Sequence, residues 1–385
     1  MLTPLPDQTC QVCGRSGLDE ILAFRALPRV TSDAHPWPVG GRMCCCRTCG
    51  VAQKAIDDAW LSDIKSIYSK YAIYHQADGA EQPIFTARGP TPRSALIADF
   101  IEQYVSPPAG AKVLDFGCGN GAALWTFSAR HPDWRLFGSE LSDGVFEQLR
   151  RLPNFIDLYI GPIESFGEEF DLITMIHALE HVNAPAETLS KLLRVLSDAG
   201  QLLIEVPDCE TTPYDLVIAD HLTHFGLDTL GLVAHRAGFV AHCASASILP
   251  KELTWLGGRA TSLEAPPEMD AGRGIRRTLA HIEWLTDQAS VARTVAQMST
   301  SFGIFGTSIS ATWLAGAVGD VIDFFVDEDP AKVGRMHLGR PILSPDAVHA
   351  NADVYVPLIP RTARAVAGRL ATRAIHYHSP RDLPA

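Results

Sequence analysis

The sequence predicts an α/β protein built on a doubly wound parallel sheet, with a small cysteine-knuckle module ahead of it and a second α/β domain behind it. Three observations carry this expectation. In Val113-Leu114-Asp115-Phe116-Gly117-Cys118-Gly119-Asn120-Gly121, two branched apolar residues lead into an acid, and three alternate glycines open an amphipathic helix near Ala122. That is the pattern of a buried strand ending in a tight turn. From Lys112 to about Ser247, strand-like and helix-like segments alternate, as in parallel sheets with crossover helices. Near the N-terminus, Cys10/Cys13 and Cys46/Cys49 form two Cys-x-x-Cys pairs.

The glycine turn is the place to look for a ligand. A backbone without side chains lets a polar group lie on the turn, where amide hydrogens and a helix N-terminus face it. A second strand, Arg135 to Glu140, ends in an acid about 25 residues after Asp115, near where a dinucleotide fold places its ribose-binding carboxylate. The turn reads D-x-G-x-G-x-G and lacks the G-x-G-x-x-G spacing. An ordinary α/β turn without a ligand is the plainer alternative. This segment resembles the first motif of the class I S-adenosylmethionine-dependent methyltransferases. The resemblance implies that Asp115, Gly117, Cys118 and Gly119 face the methionine part of the cofactor and that Glu140 and Leu141 face its ribose. A carboxylate at Asp115 suits a ligand with a sulfonium and an ammonium, and would repel a pyrophosphate.

Composition sets the outer bounds. The chain has 385 residues and a formal net charge of −12, enough length for two or three domains and the wrong sign for a general nucleic-acid binder. No apolar run approaches the roughly 20 residues of a membrane span. The segment Met1-Leu2-Thr3-Pro4-Leu5-Pro6-Asp7 has neither a basic region nor an apolar core. The reading is a soluble cytoplasmic protein without nucleic-acid or membrane partners, monomeric or dimeric.

In chain order, residues 1–60 read as a zinc-binding domain. Cys10, Cys13, Cys46 and Cys49 can place four thiolates around structural Zn²⁺, which leaves no open coordination position for catalysis. Cys44 and Cys45 leave the ligand register open, and disulfides or a redox pair are the alternatives. Residues 61–110 read as a helical bridge or lid. Tyr68, Tyr71 and Tyr74 recur every third residue; packing is one role for them, and a cation–π face for the cofactor, through Tyr71, is the other. Pro83, Pro90 and Pro92 mark a loop, and Ser94 to Val105 a helix.

Residues 111–265 hold the core. Its strands are expected at Lys112 to Phe116, Leu136 to Glu140, Phe155 to Ile160, Phe170 to Ile176, Gln201 to Val206 and Phe239 to Ala246. Ligands bind beyond the carboxyl ends of such strands. After the third strand lie Ile163 and Glu164, where the resemblance implies adenine contacts. After the fourth comes His177-Ala178-Leu179-Glu180-His181-Val182. This resembles the H-x-L-E-H-V segment of the same family, with His177 near the cofactor and His181 near the transferred methyl. Packing and helix capping are the alternative for His177 and Glu180.

After the fifth strand, Asp220-His221-Leu222-Thr223-His224 can supply a general base and an orienting acid. Here the whole chain resembles sugar C-methyltransferases acting on nucleotide-linked 4-keto deoxysugars, which carry a Tyr-x-Glu-His motif at this point. Ile218-Ala219-Asp220-His221 keeps the His, replaces Glu by Asp and lacks the Tyr. The resemblance implies His181 and His221 as bases, Asp220 orienting and His224 in reserve. Ala265-Pro266-Pro267 marks a boundary, 266–299 a connector helix, and 300–385 a Rossmann-like domain that would hold the nucleotide end of the substrate or act as scaffold. The function expected is S-adenosylmethionine-dependent methyl transfer to a nucleotide-linked sugar. O- or N-methylation of a sugar or small metabolite, and a non-catalytic cofactor-binding scaffold, are the alternatives.

Overall fold

The computed structural model describes residues 2–70, 81, 83–86, 89–261, 265–371 and 374–383. At its centre lies a seven-stranded sheet of β1 (Lys112–Phe116), β2 (Arg135–Glu140), β3 (Phe155–Ile160), β4 (Phe170–Ile176), β5 (Leu196–Pro207), β6 (Phe239–Ser245) and β7 (Glu252–Arg259). The spatial order is β3-β2-β1-β4-β5-β7-β6. Strands β1 to β5 are parallel, whereas β7 runs antiparallel to both β5 and β6. The sheet is therefore mixed and not wholly parallel, a correction to the sequence reading, which placed no core strand after Ala246. The missing strand is buried along almost its whole length, so it shows neither alternation nor a turn signal. Its Gly257 is needed for close packing, because a Cβ there would stand 2.3 Å from the Val240 carbonyl oxygen.

Sequence neighbours diverge on either side of β1, β2 to one side and β4 to the other. A crevice opens at such a switch point, beyond the strand ends. The helix Ala122–Arg130 starts there from Gly121, whose φ is 81° and whose hypothetical Cβ would lie 2.2 Å from Leu149 Cδ2. Only glycine fits that corner.

The N-terminal module is an antiparallel sheet of Leu2–Thr9, Ser16–Ile21, Met43–Cys46 and Ala52–Lys54. A fifth strand, Thr223–His224, comes from the long connection after β5 and pairs with Ala52 and Gln53. Val30 also bridges to Ile218. The module and the core are thus joined by backbone hydrogen bonds at the segment where the candidate histidines lie. The helix Asp58–Tyr68 follows, capped by the Asp57 carboxylate on the Trp60 amide. Where a loop was expected, Pro83–Thr86 pairs with Gly89–Pro92 as a hairpin, and the next helix spans Arg93–Tyr104. Tyr71 and Tyr74 lie outside the described residues.

The 28-residue helix Ala271–Met298 leads to a second sheet. Its strands Arg340–Leu343, Phe324–Val326, Phe302–Phe305, Ala352–Tyr355 and Ile375–His378 are parallel, with Met336–His337 antiparallel at one edge. One apolar cluster joins Phe24 and Met43 of the N-terminal module, Trp284 and Leu285 of the long helix, and Phe302 and Trp313 of the last domain. The Trp313 indole donates to the Pro28 carbonyl at 3.0 Å. Among the described residues no helix is long and apolar enough to cross a membrane.

Candidate active site

A cleft of about 420 Å³ runs from the β1 turn across the histidine segments to the C-terminal domain. Asp115, Gly117, Cys118 and Gly119 line one end, and His177, Glu180, His181, Asp215, Ile218 and His221 line the middle. At the far end are Thr307 to Ser310, the start of the helix Ile309–Val318. Ser32, Asp33 and Ala34 of the N-terminal module form part of the wall. All three parts of the chain therefore meet in it.

At the glycine turn, Asp115 is buried and accepts a 2.7 Å hydrogen bond from Thr174 Oγ1. Burial pushes its carboxyl up to about 7, with Thr174 opposing and the Glu140 charge adding to the rise. A cationic group placed beside it would draw it back to the ionised form. Glu140 accepts from the Gly119 amide at 2.6 Å and from the Leu141 amide at 2.9 Å. Both carboxylate oxygens are thereby fixed, with lone pairs left for hydroxyl donors. Two acids at the glycine turn fit a ligand carrying positive charge and ribose hydroxyls. Glu140, Leu141, Ile163 and Glu164 stand outside the cleft lining. Leu141 is exposed, Ile163 packs in the core, and Glu164 pairs with Lys191 at 3.1 Å.

His181 sits on the turn Leu179–His181 after β4. Its Nδ1 is 3.0 Å from the Asp220 carbonyl and 3.0 Å from the Tyr68 hydroxyl. A carbonyl only accepts, so Nδ1 carries the hydrogen and Nε2 is the open lone pair. His221 Nδ1 donates to Asp215 Oδ1 at 2.6 Å, which likewise leaves Nε2 open. The two rings meet edge to face with centroids 4.6 Å apart. One nitrogen from each and a Glu180 oxygen lie within 4.8 Å of one another. Burial and the neighbouring His221 depress the His181 pKa. For His221 burial acts in the same direction, but the Asp215 carboxylate outweighs it and the pKa is raised. His221 is thus the better proton acceptor of the two.

The acid bonded to His221 is Asp215, which the sequence reading missed, and not Asp220. The Asp220 carboxylate accepts from the Ser32 amide at 2.9 Å and from the Ser32 hydroxyl and lies 3.5 Å from His181 Nδ1, which its backbone carbonyl also steadies. Asp215 Oδ2 accepts from His224 Nδ1 at 2.6 Å, and His224 Nε2 faces Lys54 Nζ at 2.9 Å. With both nitrogens engaged and the ring buried, His224 cannot serve as a reserve base at the cleft. It stands behind His221, one layer from the cavity.

Residues 92–244 match the family model described as "Methyltransferase domain". This part of the chain is similar to a methyltransferase domain. S-adenosylmethionine is the cofactor of that fold. The ubiquinone biosynthesis O-methyltransferase of Pseudomonas entomophila is 28% identical over 131 residues, 32% of this chain and 55% of that protein. The trans-aconitate 2-methyltransferase of Acidovorax sp. is 29% identical over 137 residues, 35% of this chain and 51% of that protein. The chain spans about half the length of these curated relatives. A TehB-like SAM-dependent methyltransferase from Corynebacterium glutamicum shows 19% identity, covering 52% of this chain and 97% of its own, with a TM-score of 0.32.

Around the methyltransferase domain, two further clusters shape the site. His177 has a φ of 51° and lies 3.3 Å from both Glu180 and Glu252. Burial disfavours its charge, yet Glu252 and Glu180 hold its pKa at about 10. Arg93 pairs with Glu252 at 2.7 Å. His177 is therefore a charged bridge within the cleft wall, and neither Arg93 nor Glu252 had any local sequence signal. In the N-terminal module, Cys10 Sγ and Cys49 Sγ lie 3.6 Å apart, Cys13 Sγ and Cys46 Sγ 3.5 Å, and all four within 4.8 Å. Tetrahedral zinc with about 2.3 Å bonds needs sulfurs about 3.8 Å apart, so the four-thiol set fits that metal. Cys44 and Cys45 are buried but stand outside the cluster.

Proposed function

We propose that the chain transfers a methyl group from S-adenosylmethionine to a sugar, with a nucleotide-linked keto-deoxysugar as substrate and His221 as general base. Bound S-adenosylmethionine supplies an activated methyl on a sulfonium. Asp115 and the glycine turn would bind it, Glu140 would offer acceptors to its ribose, and walls from three parts of the chain surround the reacting groups. His221 takes the acceptor's proton at Nε2 while the Asp215 carboxylate stabilises the resulting imidazolium. The supporting observation is that the one cleft holds the cofactor turn, two open imidazole nitrogens and the C-terminal domain in line.

A second cavity of about 370 Å³ adjoins this cleft, sharing Ala34 and Thr307 with it and lined by His35, Lys332 and Arg335. Basic side chains and the start of the helix Ile309–Val318 suit the phosphates of a nucleotide tail. Zinc on Cys10, Cys13, Cys46 and Cys49 would be structural. One observation favours O-methylation as the second reading. Ile218 lines the cleft where a tyrosine hydroxyl would steady an enolate, and a hydroxyl acceptor needs no such group. Incubation with labelled S-adenosylmethionine and a panel of nucleotide-linked keto and hydroxy sugars tests the proposal. Label transfer to a sugar supports it, NMR of the product separates carbon from oxygen, and transfer only to non-sugar metabolites overturns it.

A further inference from the structure

Behind the cleft, a buried lysine sits where an apolar residue would be ordinary. Lys54 is 1% exposed and ends the strand Ala52–Lys54. Its Nζ donates to the Leu216 carbonyl at 2.7 Å, lies 2.9 Å from His224 Nε2, and stands 5.2 Å over the Phe24 ring. A lysine of this burial is costly unless its partners are fixed, and no step proposed above uses it.

The hydrogen-bond roles along this chain follow by elimination. Burial lowers the Lys54 pKa to about 7; at and below that pH it is an ammonium with donors only, so His224 Nε2 accepts. His224 therefore carries its hydrogen on Nδ1, which points to Asp215 Oδ2 at 2.6 Å. His221 Nδ1 points to Asp215 Oδ1 at the same distance. Every donor is directed toward Asp215, from Lys54 through His224 on one side and from His221 on the other. A proton gained at His221 Nε2 consequently has no onward path to Lys54 and must leave through the cleft.

We propose that Lys54 is a positioning residue that keeps His224 neutral, so that the Asp215 charge is reserved for His221. The argument rests on the reading of His221 as the base. Without Lys54, two imidazoles would compete for one carboxylate, and a cationic His224 would cancel the charge that stabilises protonated His221. The surroundings agree with this division. His224 faces Lys54, Asp215 and His221, and burial and Lys54 together press its pKa down to about 4 against Asp215. Lys54 faces Asp215 and Asp220, with Arg29 and Cys44 nearby. His221 also faces Glu180, Asp220 and His181.

The test is imidazole ¹⁵N–¹H correlation spectroscopy on the full, zinc-loaded chain, wild type and Lys54→Met, together with kcat against pH. In the wild type, His224 should remain neutral with its hydrogen on Nδ1 down to about pH 5. In Lys54→Met burial still opposes its charge but Lys54 no longer does, so it should take a second proton at a higher pH than in the wild type. The rate defect should reach about tenfold at low pH and vanish near pH 8.5, with KM for S-adenosylmethionine unchanged. Lys54→Arg, which restores the charge and donors, should recover the low-pH rate. A purely structural role would lower kcat equally at all pH values, and that result overturns the proposal. So does a wild-type His224 protonated on Nε2, a measurement that stands even if no variant folds. Turnover by His221→Ala would instead remove the base assignment and leave the His224 spectrum as it is.

Discussion

Replacing Asp215 by Asn tests the proposed chemistry most directly. Asp215 is 3% exposed, and each of its oxygens accepts a 2.6 Å hydrogen bond from an imidazole. Burial alone would raise its pKa, but His224 and His221 hold it well below the usual carboxylate range. An amide of equal size keeps one acceptor and presents an NH₂ to the other ring, which must then turn its tautomer. One charge-assisted bond to the imidazolium is lost in the proton-transfer step, worth about 1.5–3 kcal/mol. At about 1.4 kcal/mol per decade, kcat should fall about 10- to 150-fold. A second readout carries a sign. Asp215 raises the His221 pKa, so wild-type kcat should climb with pH through a value above the ordinary 6.5, and in Asp215→Asn that limb should move to lower pH. The assay is steady-state label transfer at several pH values, with S-adenosylmethionine affinity measured by calorimetry as the control. A folded Asp215→Asn protein with kcat within twofold of wild type and the same acid limb would refute the role given to His221.

Three further outcomes are expected. S-adenosylmethionine affinity should be constant above about pH 8 and weaken by up to tenfold per pH unit below about 7, because a cation needs ionised Asp115 and that carboxyl sits at about 7; calorimetry should find this slope absent in Asp115→Asn. Metal analysis should give one zinc per chain, lost in Cys46→Ser along with roughly 5–10 °C of Tm; an unchanged Tm with zinc absent would show the cluster to be dispensable. Lys332→Ala should raise KM for a nucleotide-linked sugar about tenfold while leaving cofactor affinity alone, and an unchanged KM would remove the second cavity from the substrate path.

The local parts of the fold were legible in the sequence. The strand from Lys112 to Phe116, its glycine turn and the acid at Glu140 each carry their pattern within a few consecutive residues, which residue order displays. Asp215 was not legible for the opposite reason. Asp220 stands beside His221 in the chain and looks like its partner, yet its carboxylate is engaged by Ser32 of the N-terminal module, 188 residues away. The turn Pro213–Val217 brings a carboxylate six positions upstream back to both rings instead. Lys54 meets His224 across a separation of 170 residues, and no spacing rule reaches that far. The same holds for β7, whose continuous burial hides the period that marks other strands.

The two-residue strand Thr223–His224 binds the fate of the base to a sheet that begins near the N-terminus. A shift of one place there would turn His224 away from Asp215, because side chains alternate along a strand. Grafting or truncation at the edges of 92–244 would therefore carry over the proposed base and leave behind the scaffold that aims it. On the proposed function, the cysteine knuckle belongs to the unit that aims the base, and any change of acceptor has to keep it.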